Sequence, residues 1–242
     1  MLPRVHVYLM IAAACVLASL TILVYLPGLH GAFVFDDTAN IIRNAQVEIS
    51  HLDIASLKSA AASGRSGPLL RPLSMMSFAL NYHATGMDPY YFKLTNLAIH
   101  LCNGMGIFVL SWLLLNFYGK RFGHAIAAAY VPWIALTVSA AWLLHPLNLT
   151  SVLYVVQRMT SLSALFTIWG LVLFLWGRIR LYAGTSGWAL ILVSLVLFTP
   201  LAAFSKETGL LLPLFMLVAE VTLFRFKTEK AGVRRFLVAF YA

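Results

Sequence analysis

Apolar runs as long as a bilayer is thick constrain this chain more than any other feature. A helix needs about 20 apolar residues to cross the hydrocarbon core. Runs of that order cover residues 7–27, 94–117, 126–144, 162–177, 188–204 and 210–224. The fourth is short at its apolar core and gains length if it begins near Val152, with Arg158 at its outer end. A seventh run starts near Val233, and the stretch 233–242 is too short to cross. The chain is therefore expected either to be a piece cut short at its C-terminus or to lay its last segment in the interface. The fold class that follows is all-α: a polytopic integral membrane helix bundle of six full spans plus a partial seventh. Residues 1–242 are read as a single membrane-embedded module.

Composition supports this reading. The chain is 61% hydrophobic and 10% charged, with a mean hydropathy of +0.86, which a water-soluble globule does not need. The net charge of +9 does not imply nucleic acid, because the basic residues sit at the ends of apolar runs, where they set topology. With the N-terminus in the cytoplasm, Arg4, Lys120, Arg121, Arg178, Arg180, Arg225, Lys227, Lys230, Arg234 and Arg235 all lie inside. The short outer connections then keep only Arg158 and Lys206. The apolar run after Met1 to Val5 continues well past Cys15, so an uncleaved first span is expected rather than a signal peptide. Cys15 and Cys102 fall inside apolar runs and are read as small buried hydrophobes.

The first outer loop, residues 28–93, is too long for a simple connection. Its composition argues for two short helices along the membrane surface, one around Ile49, Leu52, Ile54 and Leu57 and one within 69–82, separated by Ser63-Gly64-Arg65-Ser66-Gly67-Pro68. It opens with Phe33-Val34-Phe35-Asp36-Asp37, in a chain with only 8 acidic residues. Two adjacent carboxylates at a membrane surface repel, and must be held by water, a cation or a substrate. The alternative for Asp37 is an N-cap of a short helix at Ala39-Asn40-Ile41-Ile42. Further polar groups collect on the same side. Arg71 can fork onto a phosphate or snorkel to the interface. Asn96, His100 and Asn103 share one helix face, as substrate contacts or as an interhelical stripe. His145-Pro146 with Tyr154, Gln157 and Arg158 follows, and then Ser205-Lys206-Glu207, whose charges can also neutralise each other.

Taken in order, these segments resemble the GT-C superfamily of polytopic glycosyltransferases. The resemblance is nearest to the transmembrane and tetratricopeptide-repeat O-mannosyltransferase group and its bacterial relatives. It rests on Phe33-Val34-Phe35-Asp36-Asp37 with Ile42-Arg43-Asn44; Arg71-Pro72-Leu73 through Asn81-Tyr82; Tyr91-Phe92-Lys93-Leu94-Thr95-Asn96 with His100; His145-Pro146 with Gln157-Arg158; and Ser205-Lys206-Glu207. It implies a sugar carried on a polyprenyl or dolichyl phosphate and transferred on the outer face, with an early loop acid, Asp36 or Asp37, as catalytic acid/base. The place would be a bacterial inner membrane with the site toward the periplasm, or an endoplasmic reticulum membrane with the site toward the lumen. Asn148-Leu149-Thr150-Ser151 stands where that group often carries a glutamate, and the tetratricopeptide tail is not in this sequence.

The chemistry fits the residues on its own terms. A lipid-phosphate leaving group needs little protonation, so the site requires one base for an acceptor hydroxyl and cations for the phosphate. Asp36 or Asp37 serves as the base. Arg71, Arg158 and Lys206 are the candidate phosphate holders, with Asn96, His100, His145 and Glu207 as further substrate contacts. A divalent ion, Mg²⁺ or Mn²⁺, on Asp36 and Asp37 is also compatible, since hard cations prefer carboxylate oxygens. The partners expected are a polyprenyl- or dolichyl-phosphate sugar, an acceptor protein (serine or threonine) or glycan, and membrane lipid, with no nucleic acid. Two other classes stay open: a transporter or flippase of lipid-linked sugars, which would place charge near the bilayer midplane, and a noncatalytic membrane scaffold.

Overall fold

The computed structural model describes residues 4–123 and 127–227, all of whose regular structure is helical. The partial seventh span, the start of the third run at Ile126, and Lys230, Arg234 and Arg235 lie outside the described residues.

Helix α1, Arg4–Leu29, is followed by a π-helical turn at Thr38–Ile42, then α2 (Ile54–Ala62) and α3 (Pro72–Thr85). The long α4 runs Pro89–Phe122, followed by α5 (Val131–Leu143), α6 (Leu149–Leu153) and α7 (Arg158–Tyr182). After these come α8 (Trp188–Val193), α9 (Thr199–Ser205) and α10 (Leu212–Ala219), joined and followed by π and 3₁₀ turns. Among the described residues, five segments are long and apolar enough to cross a membrane: Val5–Leu29, Pro89–Phe122, Val155–Tyr182, Trp188–Ser205 and Glu207–Phe224. The chain is an integral membrane protein by this measure.

The expected third span is the one that differs. Val131–Leu143 is 13 residues long, roughly 20 Å of helix against about 30 Å of hydrocarbon. It meets Pro146–Leu153 at a 54° bend, so the pair is a broken span or a re-entrant loop. Pro146 explains the break: the residue before a proline avoids helical geometry, and His145 is extended at ψ 129°. The long loop is shorter than expected, because Asp88 accepts from the Tyr90 N–H at 2.9 Å and Pro89 opens α4. Tyr91 to Lys93 are thus helical, and the loop is residues 30–88. A short helix stands in each of the two expected stretches, but the first begins only at Ile54, behind Asp53 as its N-cap, so Ile49 and Leu52 lie outside it, and the second runs Pro72–Thr85. Cys15 and Cys102, expected to be buried, both lie on exposed helix faces.

Of the four apolar clusters among the described residues, the two largest organise the bundle. Phe117, Phe174, Leu175, Ile191, Leu212, Met216 and Phe224 fill one end. There Arg178, expected in a connection, is instead buried within its span and paired to Glu220, with Nη2 2.8 Å from Oε1. At the other end Ile41, Val47, Met75, Phe78, Phe92, Val155, Val156 and Met159 pack together. This second core fixes the loop onto the starts of α4 and α7, and the polar residues singled out above stand on it.

Candidate active site

Within the acid pair the two carboxyls have opposite fates. Asp37 is fully buried. Its Oδ2 accepts from the Val34 N–H at 3.0 Å and its Oδ1 from the Val156 N–H at 2.7 Å. Burial pushes this carboxyl above its ordinary range, while the amides of Val34 and Val156 and the charge of Lys93 pull the other way. Asp37 precedes the π turn but makes no side-chain cap bond to it. It is a clamp between the loop and the start of α7. Asp36 is exposed. Its backbone is pinned on both sides: its N–H donates to the Tyr154 hydroxyl at 3.0 Å, and its carbonyl accepts from Asn40 Nδ2 at 2.9 Å. Ser66 donates in turn to Asn40 Oδ1 at 2.9 Å. The side chain is thereby presented to solvent from a fixed backbone.

Residues 154–160 collect the other constellations. Tyr154 meets Asp36, and Val156 meets Asp37. Met159 Sδ accepts from Arg71 Nη1 at 3.4 Å, and Thr160 accepts from Lys206 Nζ at 2.7 Å while donating to Gln157 at 2.8 Å. Short 3₁₀ geometry at Val155–Gln157 turns successive side chains in different directions, which is how one short stretch serves so many neighbours. Burial raises the Tyr154 phenol; the Asp36 amide pulls it down, while the Asp36 carboxylate and the charge of Asp37 push it further up.

Arg71 and Glu207 form an ion pair, Nη2 to Oε2 at 3.0 Å, with Nε to Oε2 also at 3.0 Å. The side chains keep 18% and 24% of their exposure, so the guanidinium is oriented yet reachable. The backbone pays for this placement: Leu70 (φ 58°) and Arg71 (φ 49°) are both left-handed, a conformation that costs side-chain-bearing residues. Gly67 (φ 81°) closes the same turn, and a Cβ there would collide with the Glu207 carboxylate. Lys206 is drawn below its ordinary lysine range, first by burial and then by Arg71, with Glu207 opposing.

Three residues expected to touch substrate instead hold the bundle. Arg158 is completely buried. Its Nε donates to Asn96 Oδ1 (2.8 Å), its Nη1 to the Ser77 carbonyl (3.0 Å), and its Nη2 to Asn81 Oδ1 (2.7 Å) and the Phe92 carbonyl (2.8 Å). The guanidinium lies 4.8 Å from the Phe78 ring centroid and 5.3 Å from that of Phe92. A phosphate outside the protein cannot reach donors so engaged. Asn96 is the other half of that joint, also donating to the Val152 and Val155 carbonyls. His100 Nε2 lies 2.9 Å from the Leu143 carbonyl, and the ring packs on Trp142 and Tyr25. His145 is exposed, and its Nδ1 accepts from the Leu147 N–H at 3.2 Å.

Both Asp37 oxygens are taken by amides, so of the pair only Asp36 presents a solvent-facing carboxylate to a cation. Among the described residues no group of three or more His, Cys, Asp or Glu converges. A divalent ion here would have to complete its shell from water or a substrate phosphate. Sequence reasoning missed Lys93, which is buried and donates to the Gly31 carbonyl at 2.6 Å and the Ala32 carbonyl at 3.2 Å. It seals the end of α1 beside Asp37. A lysine on the buried face that also carries Phe92, Asn96 and His100 was the available signal.

Comparison with known proteins points one way. The chain is 27% identical over 165 residues to protein O-mannosyl-transferase TMTC4 of Homo sapiens, covering 64% of this chain and 22% of that protein. It is 36% identical over 94 residues to protein O-mannosyl-transferase TMTC1 of Mus musculus, covering 36% and 10%. Over 201 residues it is 27% identical to protein O-mannosyl-transferase F38B6.6 of Caenorhabditis elegans, covering 81% and 26%. The matched part is thus about a quarter or less of the length of each of these relatives. No family model matches the chain, and no solved structure does. Over the stretches matched, this chain is similar to the protein O-mannosyl-transferases.

Proposed function

We propose that this chain is the membrane-embedded part of a glycosyltransferase that moves a hexose, mannose by analogy with its relatives, from a polyprenyl or dolichyl phosphate to a protein serine or threonine hydroxyl. The reaction takes place on the outer face. Asp36 is the general base. The acceptor oxygen attacks the sugar's C1 and gives its proton to the Asp36 carboxylate. The C1–O bond to phosphate breaks, and its electron pair leaves with the lipid phosphate. Arg71 and Lys206 stabilise that departing charge. Asp37 holds the loop and does not touch substrate. A divalent ion shared by Asp36 and the phosphate would add to the same stabilisation.

The observation that carries this reading is the split within the acid pair, one carboxyl sealed onto backbone amides and its neighbour held out to solvent. The same short stretch also binds the loop of Arg71 and the turn of Lys206. The positive-inside pattern supports the outer placement. The test is transfer from polyprenyl-phosphate mannose to a serine/threonine peptide by the purified, reconstituted protein. Asp36→Asn is expected to lower turnover by at least about a hundredfold with donor binding retained. Wild-type turnover in Asp36→Asn would overturn the assignment.

A further inference from the structure

Phe35 is the most exposed large hydrophobic side chain among the described residues, at 84%. Its backbone is left-handed (φ 45°), a region that bulky residues enter only when their surroundings impose it. The surroundings do so here: the Phe35 carbonyl accepts from the Thr38 N–H at 3.2 Å, and the next amide is held by Tyr154. The Phe35 ring stands edge-to-face to Tyr154, centroids 6.0 Å apart at 75°. The Tyr154 hydroxyl is in turn bonded to Asp36. Phe35 and Tyr154, two rings in edge-to-face contact, thus adjoin Asp36, which carries the solvent-facing carboxylate of the acid pair.

We propose that Phe35 and Tyr154 form a platform for the pyranose ring of the donor, so that the sugar itself, and not only its lipid phosphate, is recognised beside Asp36. This rests on the transfer reading above. One face of a hexopyranose is lined with C–H bonds whose hydrogens are slightly positive, and the face of an aromatic ring is slightly negative. A ring lying on Phe35 would hold C1 next to the base and the acceptor. An aromatic that only anchored the loop in the bilayer interface would need neither the left-handed backbone nor a tyrosine bonded to the neighbouring amide. Phe35 fills no part of the core, so its exchange leaves the fold intact, and Phe35→Leu keeps apolar bulk while removing the π face.

The test compares binding of polyprenyl-phosphate mannose with binding of the sugar-free polyprenyl phosphate, in nanodiscs, for wild type, Phe35→Leu and Phe35→Trp. Phe35→Leu is expected to narrow the preference for the mannosylated carrier by roughly three- to tenfold, with affinity for the bare carrier unchanged. Phe35→Trp is expected to keep the preference. An unchanged ratio in Phe35→Leu overturns the platform, as does an equal loss of both ligands, which would assign Phe35 to the lipid. The two readings fail separately: wild type that transfers no sugar sinks the transfer reading and the platform with it. Wild type that transfers, beside Phe35→Leu that discriminates normally, sinks the platform alone.

Discussion

Replacing Arg158 by lysine separates two accounts of that residue. In one it clamps a donor phosphate; in the other it ties α3, α4 and α7 together. The structure favours the second, since its donors reach Asn96, Asn81 and the carbonyls of Ser77 and Phe92 between 2.7 and 3.0 Å. A lysine ammonium is a point donor and cannot span these acceptors, which lie around a planar fork. It also loses the planar stacking on Phe78 and Phe92. Charged hydrogen bonds contribute about 1.5–3 kcal/mol each, and unpaired buried acceptors add their own cost. Losing one or two such bonds should therefore destabilise the protein by roughly 3–5 kcal/mol. For a chain of this size that lowers the midpoint by roughly 6–20 °C. The assay is thermal unfolding in detergent, read alongside donor binding at low temperature. A midpoint within a degree or two of wild type, together with a loss of donor affinity, would refute the structural account and return Arg158 to the phosphate.

Asp37→Asn leaves one amide without its acceptor and places an NH₂ group against an N–H, so it should cost about 2–4 kcal/mol and show as a lower midpoint; Asp36→Asn should leave the midpoint unchanged. In the proposed reaction Lys206 acts in its charged form, and its pKa is depressed, so transfer should fall on the alkaline side at a pH below that of an ordinary lysine. Lys206→Arg should push that limb to higher pH, and a limb that stays put would remove Lys206 from the chemistry. Arg178→Met strands the buried Glu220 carboxylate and should cost roughly 3–5 kcal/mol; the double change Arg178→Met with Glu220→Leu should recover most of it, as measured by the same melt.

The bundle was legible because apolar length is a local property: five of the six long runs lie within helical spans among the described residues, and each of the two stretches expected to hold a loop helix holds one. The third run, 126–144, is helical only over Val131–Leu143: its end falls where expected, but 127–130 form a turn and Pro132 opens the helix late. The site was legible as a set of residues but not as roles. Asp36 and Asp37 look alike in sequence; the partner that buries Asp37 is the Val156 amide, 119 positions away. Polar groups within spans face the interior, but that rule does not say whether they find each other or a ligand. For Asn96 and Arg158 the answer lay in Asn81 and Ser77 on a third helix. Lys93 was quoted in the resemblance but given no role, because it was counted with the loop, whereas helix α4 begins before it.

The clamp made by Val156 also has a consequence for synthesis. Asp36 and Asp37 leave the ribosome long before the stretch that receives them, and at about 5–20 residues per second the gap of 119 residues is roughly 6–24 s. Arg71 waits longer still, because Glu207 follows it by 136 positions. Throughout that interval the loop is already made while its partners are not. Until Val156 is made, nothing in the chain tells one carboxyl from the other.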